Sequence, residues 1–137
     1  MNQEQGKPYK ILIVDDDKFL LNMYSIKFKK EKFDVTTASN GLEALGHLRS
    51  GLIPDAIILD IVMPVMDGLE TLGNIRKENL AKSSAIIILS NNGQSSDIDK
   101  AKGLGINGYI VKATTIPAEV VGEVLRVLKI PANPAQK

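Results

Sequence analysis

The sequence predicts an α/β protein, an open and doubly wound sandwich built on a parallel sheet. Two observations carry that prediction. Short apolar runs at residues 11–14, 33–38, 56–59, 85–89 and 109–111 alternate with amphipathic stretches, which makes five βα units. The runs are nearly continuous in apolar residues, as expected of strands covered on both faces. Right-handed crossovers between parallel strands then place helices on each side of the sheet.

Each element has its own local signal. Ile11, Leu12, Ile13 and Val14 form the first strand. Asp17 stands at the cap or first turn of the next helix, with Leu20, Leu21, Tyr24 and Phe28 on one face. Lys27, Lys29, Lys30 and Lys32 gather at its C-terminal end, where cations complement the helix dipole on a solvated face. After the second strand, Asn40-Gly41-Leu42-Glu43 reads as a capping box opening a helix to about residue 49. Leu42, Leu45 and Leu48 are its expected inner face, and His47 its exposed outer side. Asp67-Gly68-Leu69-Glu70 is a second such cap, for a helix to about residue 78. Ser90-Asn91-Asn92-Gly93 is the turn after the fourth strand. A helix from about Ser96 ends near Gly103 or Gly105, either of which takes a left-handed stop. Pro117 starts the last helix, whose core stripe is Val120, Val121, Val124, Leu125 and Leu128.

Composition narrows the functional classes. A chain of 137 residues predicts one domain over residues 9–129, with a flexible N-terminus at 1–8 and a tail at 130–137. Hydrophobic residues make up 44% and charged residues 24%, as in an ordinary soluble globular protein. There is no cysteine, which excludes a disulfide framework and a thiolate metal site. A net charge of +1 exerts no overall pull toward nucleic acid or an anionic membrane. No apolar run has the length of a membrane span, and MNQEQGKPYK lacks the apolar segment of a secretion signal. The expectation is a cytoplasmic protein with no direct nucleic-acid contact, and with no sequence left over for a second domain such as a helix-turn-helix.

The chemistry collects at one edge. Open parallel sheets bind ligands beyond the carboxyl ends of their strands. The first strand ends at Asp15-Asp16, the third at Asp60, the fourth at Ser90 and the fifth at Lys112. Three carboxylates, a hydroxyl and an ammonium therefore converge from distant positions. Carboxylates crowded in one cleft raise one another's pKa unless a cation joins them. Oxygen ligands with room for water suit Mg²⁺, and Lys112 and Ser90 suit phosphate oxygens. One of the carboxylates can then act as a nucleophile toward a phosphoryl group.

At these residues the sequence resembles the receiver domain of bacterial two-component response regulators. VDDD after the first strand, LDIVMPVMDG across Asp60, ILS at Ser90 and YIVK at Lys112 carry the resemblance, from about residue 9 to 128. It implies a flavodoxin-like sheet of order 2-1-3-4-5. It implies Asp60 as phosphoacceptor, and Mg²⁺ held by Asp15, Asp16, Asp60 and the backbone carbonyl of Val62. It implies Lys112 on the phosphoryl oxygens, Ser90 moving toward the new phosphate, and Tyr109 following inward as an aromatic switch. The donor would be a phosphohistidine on a sensor kinase or phosphotransfer protein, and the output partner is not named by the sequence. Signalling would pass through the face made by the fourth helix, the fifth strand and the last helix. The chain would be a monomer or a weak phosphorylation-linked dimer, and a phosphoacceptor promoting its own modification rather than an enzyme.

Two positions depart from the family pattern. Asn91 follows the switch hydroxyl where Ala or Gly is usual, which puts loading and hydrolysis rates in doubt. Ala113 follows the lysine where a cis proline is usual. A cis bond without proline costs about 2.5–4 kcal/mol. That favours a trans Lys112–Ala113 bond with an altered loop over a cis bond held by tight surroundings. These departures keep open a pseudo-receiver, a phosphorylation-independent interaction module. A third reading is a small aspartyl-phosphate hydrolase, because Asp15-x-Asp17 resembles the nucleophile motif of haloacid dehalogenase-type phosphatases. Phe19 stands where that motif carries Thr or Val, and no later acidic pair is in place.

Overall fold

The protein is described by a computed structural model covering residues 7–91 and 95–130. The elements follow in strict alternation. They are β1 (Lys10–Val14), α1 (Lys18–Lys30), β2 (Asp34–Ala38), α2 (Gly41–Arg49), β3 (Ala56–Asp60), α3 (Gly68–Lys77), β4 (Ala85–Ser90), α4 (Ser95–Gly103), β5 (Gly108–Val111) and α5 (Pro117–Leu128). The strands pair in parallel in the order β2-β1-β3-β4-β5, which is the flavodoxin-like arrangement expected. The expected turn residues Asn92 and Gly93, the N-terminus through residue 6 and the tail from residue 131 lie outside the described residues.

Strand parity builds two cores from one sheet. Successive side chains of a strand point to opposite faces. Leu12, Val14, Ile57, Leu59, Ile86 and Ile88 face one way, against Ala44, Leu45 and Leu48 of α2, Leu72 and Ile75 of α3, and Ala101 of α4. Ile11, Ile13, Ile58, Ile87 and Leu89 face the other way, against Tyr24 and Phe28 of α1 and Val120, Val121 and Val124 of α5. This explains why β1, β3 and β4 read as unbroken apolar runs. Phe28 is fully buried and meets Phe33 edge to face at 5.2 Å. Burying an apolar side chain of that kind contributes roughly 1.5–3 kcal/mol.

The helix starts follow their caps. Asp17 accepts hydrogen bonds from the backbone N–H groups of Phe19 and Leu20, and Asp67 accepts from Glu70. Asn40 accepts from the Glu43 N–H, but Glu43 reaches back to the Ser39 N–H rather than to Asn40. Gly105, at φ +87°, takes the left-handed position beyond α4, and Pro117 opens α5.

Two expectations about α2 need correction. Leu42 is 51% exposed, because the buried arc of the helix runs through Gly41, Ala44, Leu45 and Leu48 and Leu42 falls beyond its edge. His47 is not simply exposed. Its Nε2 lies 3.2 Å from the Thr37 carbonyl, half-buried. β2 is an edge strand whose Asp34 N–H and Ala38 carbonyl turn toward the first strand, so Thr37 turns its carbonyl to the open side. His47 covers it.

The connection from β3 to α3 is closed by a glycine. The Gly68 N–H bonds the Ile61 carbonyl at 2.7 Å. A Cβ at Gly68 would stand 2.2 Å from the Asp60 carbonyl oxygen and 2.8 Å from the Ile61 Cα. Both are backbone atoms, so the strand end itself would have to shift. Urea unfolding is expected to show Gly68→Ala less stable by about 1–3 kcal/mol. Gly73→Ala, where an added Cβ meets nothing within 4 Å, is the control and is expected to be at least as stable as the native chain.

Candidate phosphoacceptor site

The three carboxylates of VDDDK have three different surroundings. Asp17 faces solvent and caps α1. Asp16 is exposed at the rim. Asp15 is fully buried, and its Oδ1 accepts the Asp17 N–H at 2.9 Å, which turns the chain sharply from β1 into α1. Asp60, 2% exposed, ends β3 beside β1.

Lys112 joins them. Its Nζ lies 2.9 Å from Asp15 Oδ2 and 3.2 Å from Asp60 Oδ2. Asp15 Oδ2 is at ion-pair distance but is not aligned for a hydrogen bond, and Asp60 Oδ1 has no hydrogen-bond partner. Asp15, Asp16 and Asp60 can bring one oxygen each within 4.8 Å of one another. Buried oxygens of this kind are costly without a donor or a cation. The donor set is all oxygen and partly open to solvent, which fits a hard divalent ion such as Mg²⁺.

The remaining expected residues surround this centre at different distances. Ser90 is buried at the end of β4, one position beyond Leu89, the register partner of Asp60. Val62 is 61% exposed on the loop after β3. In the same loop Val65 has φ +72°, a left-handed conformation that is rare for a β-branched residue, and is 75% exposed. Met63 packs into the core. Tyr109 is 44% exposed on β5, with the Lys102 ammonium 5.6 Å from its ring centroid. Asn91 is exposed. The Lys112–Ala113 bond is trans, and Lys112–Thr114 form a single 3-10 turn. The contact of Lys102 with Tyr109 has no signal in the sequence, where Lys102 is one lysine of a polar helix.

The response regulator receiver domain family matches residues 11–121. The chain belongs to that family. As a receiver domain it is 35% identical to the "Transcriptional regulatory protein CpxR homolog" of Haemophilus influenzae over 128 residues, covering 92% of this chain and 53% of the relative. It is 32% identical to "Chemotaxis protein CheY" of Halobacterium salinarum, covering 84% of this chain and 95% of the relative. Among solved structures it resembles the CheX-CheY-BeF3-Mg²⁺ complex of Borrelia burgdorferi, with a TM-score of 0.81, 32% identity, and coverage of 93% and 94%. The chain spans about half the length of the first curated relatives it matches.

The electrostatics of the receiver site follow from burial. Burial pushes the Asp60 carboxyl from its usual 3.8 up to about 7; Lys112 opposes this and Asp15 adds to it. Burial also works to lower the Lys112 pKa, but the close Asp15 and Asp60 carboxylates outweigh it and hold the ammonium above its usual value. A carboxyl with a higher pKa folded than unfolded binds its proton more tightly in the folded chain. Its stabilising contribution is complete below the unfolded value and is lost as pH rises through the folded one. In metal-free buffer, Asp60 therefore lowers stability progressively between about pH 4 and pH 7. Thermal denaturation near pH 8 is expected to show Asp60→Asn more stable than the native receiver by roughly 3–6 °C, the shift that about 1 kcal/mol produces in a domain of this size. The difference is expected to shrink by about pH 5.

Proposed function

We propose that this receiver accepts a phosphoryl group on Asp60 from a phosphohistidine of a sensor kinase or phosphotransfer protein, and signals through the face formed by α4, β5 and α5. The observation that carries the proposal is the Lys112 ammonium lying between Asp15 and Asp60 while Asp60 Oδ1 lacks any donor. An Asp60 oxygen attacks phosphorus, and the phosphorus–nitrogen bond of the donor breaks. The bonding pair goes to that imidazole nitrogen, and because the other ring nitrogen carries a proton the departing ring leaves neutral. Lys112 is within reach of the equatorial oxygens of the transferring group and offsets their charge. Asp15, Asp16, Asp60 and the Val62 carbonyl would hold Mg²⁺, which supplies further positive charge to those oxygens when bound.

The product carries roughly −1.5 to −2 charge and three strong acceptors on a residue that was partly neutralised before. Ser90, at the end of the neighbouring strand, is the hydroxyl proposed to bond it. Tyr109, now outward, is the ring proposed to follow. The Borrelia neighbour was solved with CheX, BeF3 and Mg²⁺, which supports a partner-binding output for the same fold here. A cytoplasmic monomer or weak phosphorylation-linked dimer is the form proposed. Among the described residues no helix is long and apolar enough to cross a membrane. Asn91 and Ala113, with its trans bond in a 3-10 turn, are the departures behind the pseudo-receiver reading. The close pairing of Lys112 with both carboxylates supports the phosphorylated switch instead.

Incubation with acetyl phosphate and Mg²⁺, followed by intact mass measurement, tests this directly. The native chain is expected to gain one phosphoryl group. Asp60→Asn is expected to gain none, and Lys112→Met to load at least tenfold more slowly. A native chain that stays at its unmodified mass overturns the proposal.

A further inference from the structure

We infer that Lys102 is a latch that holds Tyr109 outward, so that α4 and the switch ring are coupled through one ammonium. The inference rests on the switch proposed above and adds the residue that sets its resting position.

Tyr109 lies on β5, the edge strand, in register with Ile88, and Val111 two positions later is in register with Ser90. The ring is 44% exposed, with the Lys102 ammonium 5.6 Å from its centroid. An ammonium over a tyrosine face is held by the ring quadrupole. This contact exists only while the ring is outward. A ring turned inward toward Ser90 leaves the ammonium behind.

Lys102 is well placed for such a link because α4 is anchored unequally. Its C-terminal end is fastened to α3. Arg76 Nε donates to the Leu104 carbonyl at 2.9 Å, and Arg76 Nη2 donates to the Gly105 carbonyl. Among its described residues α4 buries only Ile98 and Ala101. Most of the helix is polar, so its attachment to the body comes from few contacts. Lys102 therefore stands one turn from a pinned end, on the side of β5. Ring rotation and helix position bias each other through it, and the latch favours the unphosphorylated arrangement.

The contact is exposed, so its effect is modest. Removing it is expected to shift the balance between outward and inward rings about two- to fivefold. The test uses Lys102→Met, which keeps the alkyl stem and removes the charge, and Lys102→Arg, which keeps a cation. Aromatic ¹³C–¹H NMR of the full chain follows the Tyr109 ring during titration with Mg²⁺ and beryllofluoride. Lys102→Met is expected to move the resting Tyr109 signal toward its beryllofluoride-bound position and to tighten the apparent beryllofluoride affinity about two- to fivefold. Lys102→Arg is expected to behave as the native chain. In a Tyr109→Leu background, Lys102→Met is expected to change nothing. Native binding of beryllofluoride with identical titrations in Lys102→Met overturns the latch alone. Native failure to bind beryllofluoride overturns the switch and the latch together.

Discussion

One ammonium serves two buried carboxylates, and the site is organised around that shortage. Once Asp60 is ionised, above about pH 7, it and Asp15 each bring a negative charge into the protein, while Lys112 brings one positive charge within 3.2 Å of both. The surplus negative charge is not removed by hydrogen bonds, since one oxygen on each carboxylate lacks a hydrogen-bond partner. Buried charge left over in this way is destabilising by itself. A hard divalent cation held by Asp15, Asp16 and Asp60 would offset that charge.

The rest of the fold bears that cost and fixes the geometry. Two apolar cores, one on each face of the sheet, hold the strand ends in register. Gly68 allows α3 to begin against the Asp60 backbone, and the Asp15–Asp17 hydrogen bond turns β1 away so that Asp15 stays inside. The left-handed Val65 conformation lies in the loop that follows Asp60. Sparsely populated backbone conformations persist where the surroundings over-determine them, as at ligand and switch regions. Among its described residues α4 buries only Ile98 and Ala101, so it is attached more lightly than α3 and α5.

Much of this was legible in the residues. Unbroken apolar runs at β1, β3 and β4 announced strands covered on both faces, and Asp15, Asp60 and Lys112, at or just past the ends of β1, β3 and β5, were already marked as neighbours by those ends. Caps at Asp17, Asn40 and Asp67 placed three helix starts. The failures have physical causes. Leu42 is apolar but lies outside the arc set by Gly41 and Ala44. His47 was read from helix phase alone, yet its partner is a carbonyl on an edge strand ten residues earlier. Lys102 and Arg76 act on groups brought near by the fold, a ring on β5 and two carbonyls beyond α4, and no local pattern marks such contacts. The trans bond at Ala113 followed from the absence of proline.

The central claim is that the buried negative charge at this rim waits for a divalent cation. The most direct measurement is a Mg²⁺ titration of the unmodified chain near pH 8, followed residue by residue by amide NMR. A single saturable transition, with the largest shifts at Asp15, Asp16, Asp60, Ile61 and Val62 and its loss in Asp16→Asn, is the result expected. Amide signals at those positions that stay fixed up to saturating Mg²⁺ would contradict it.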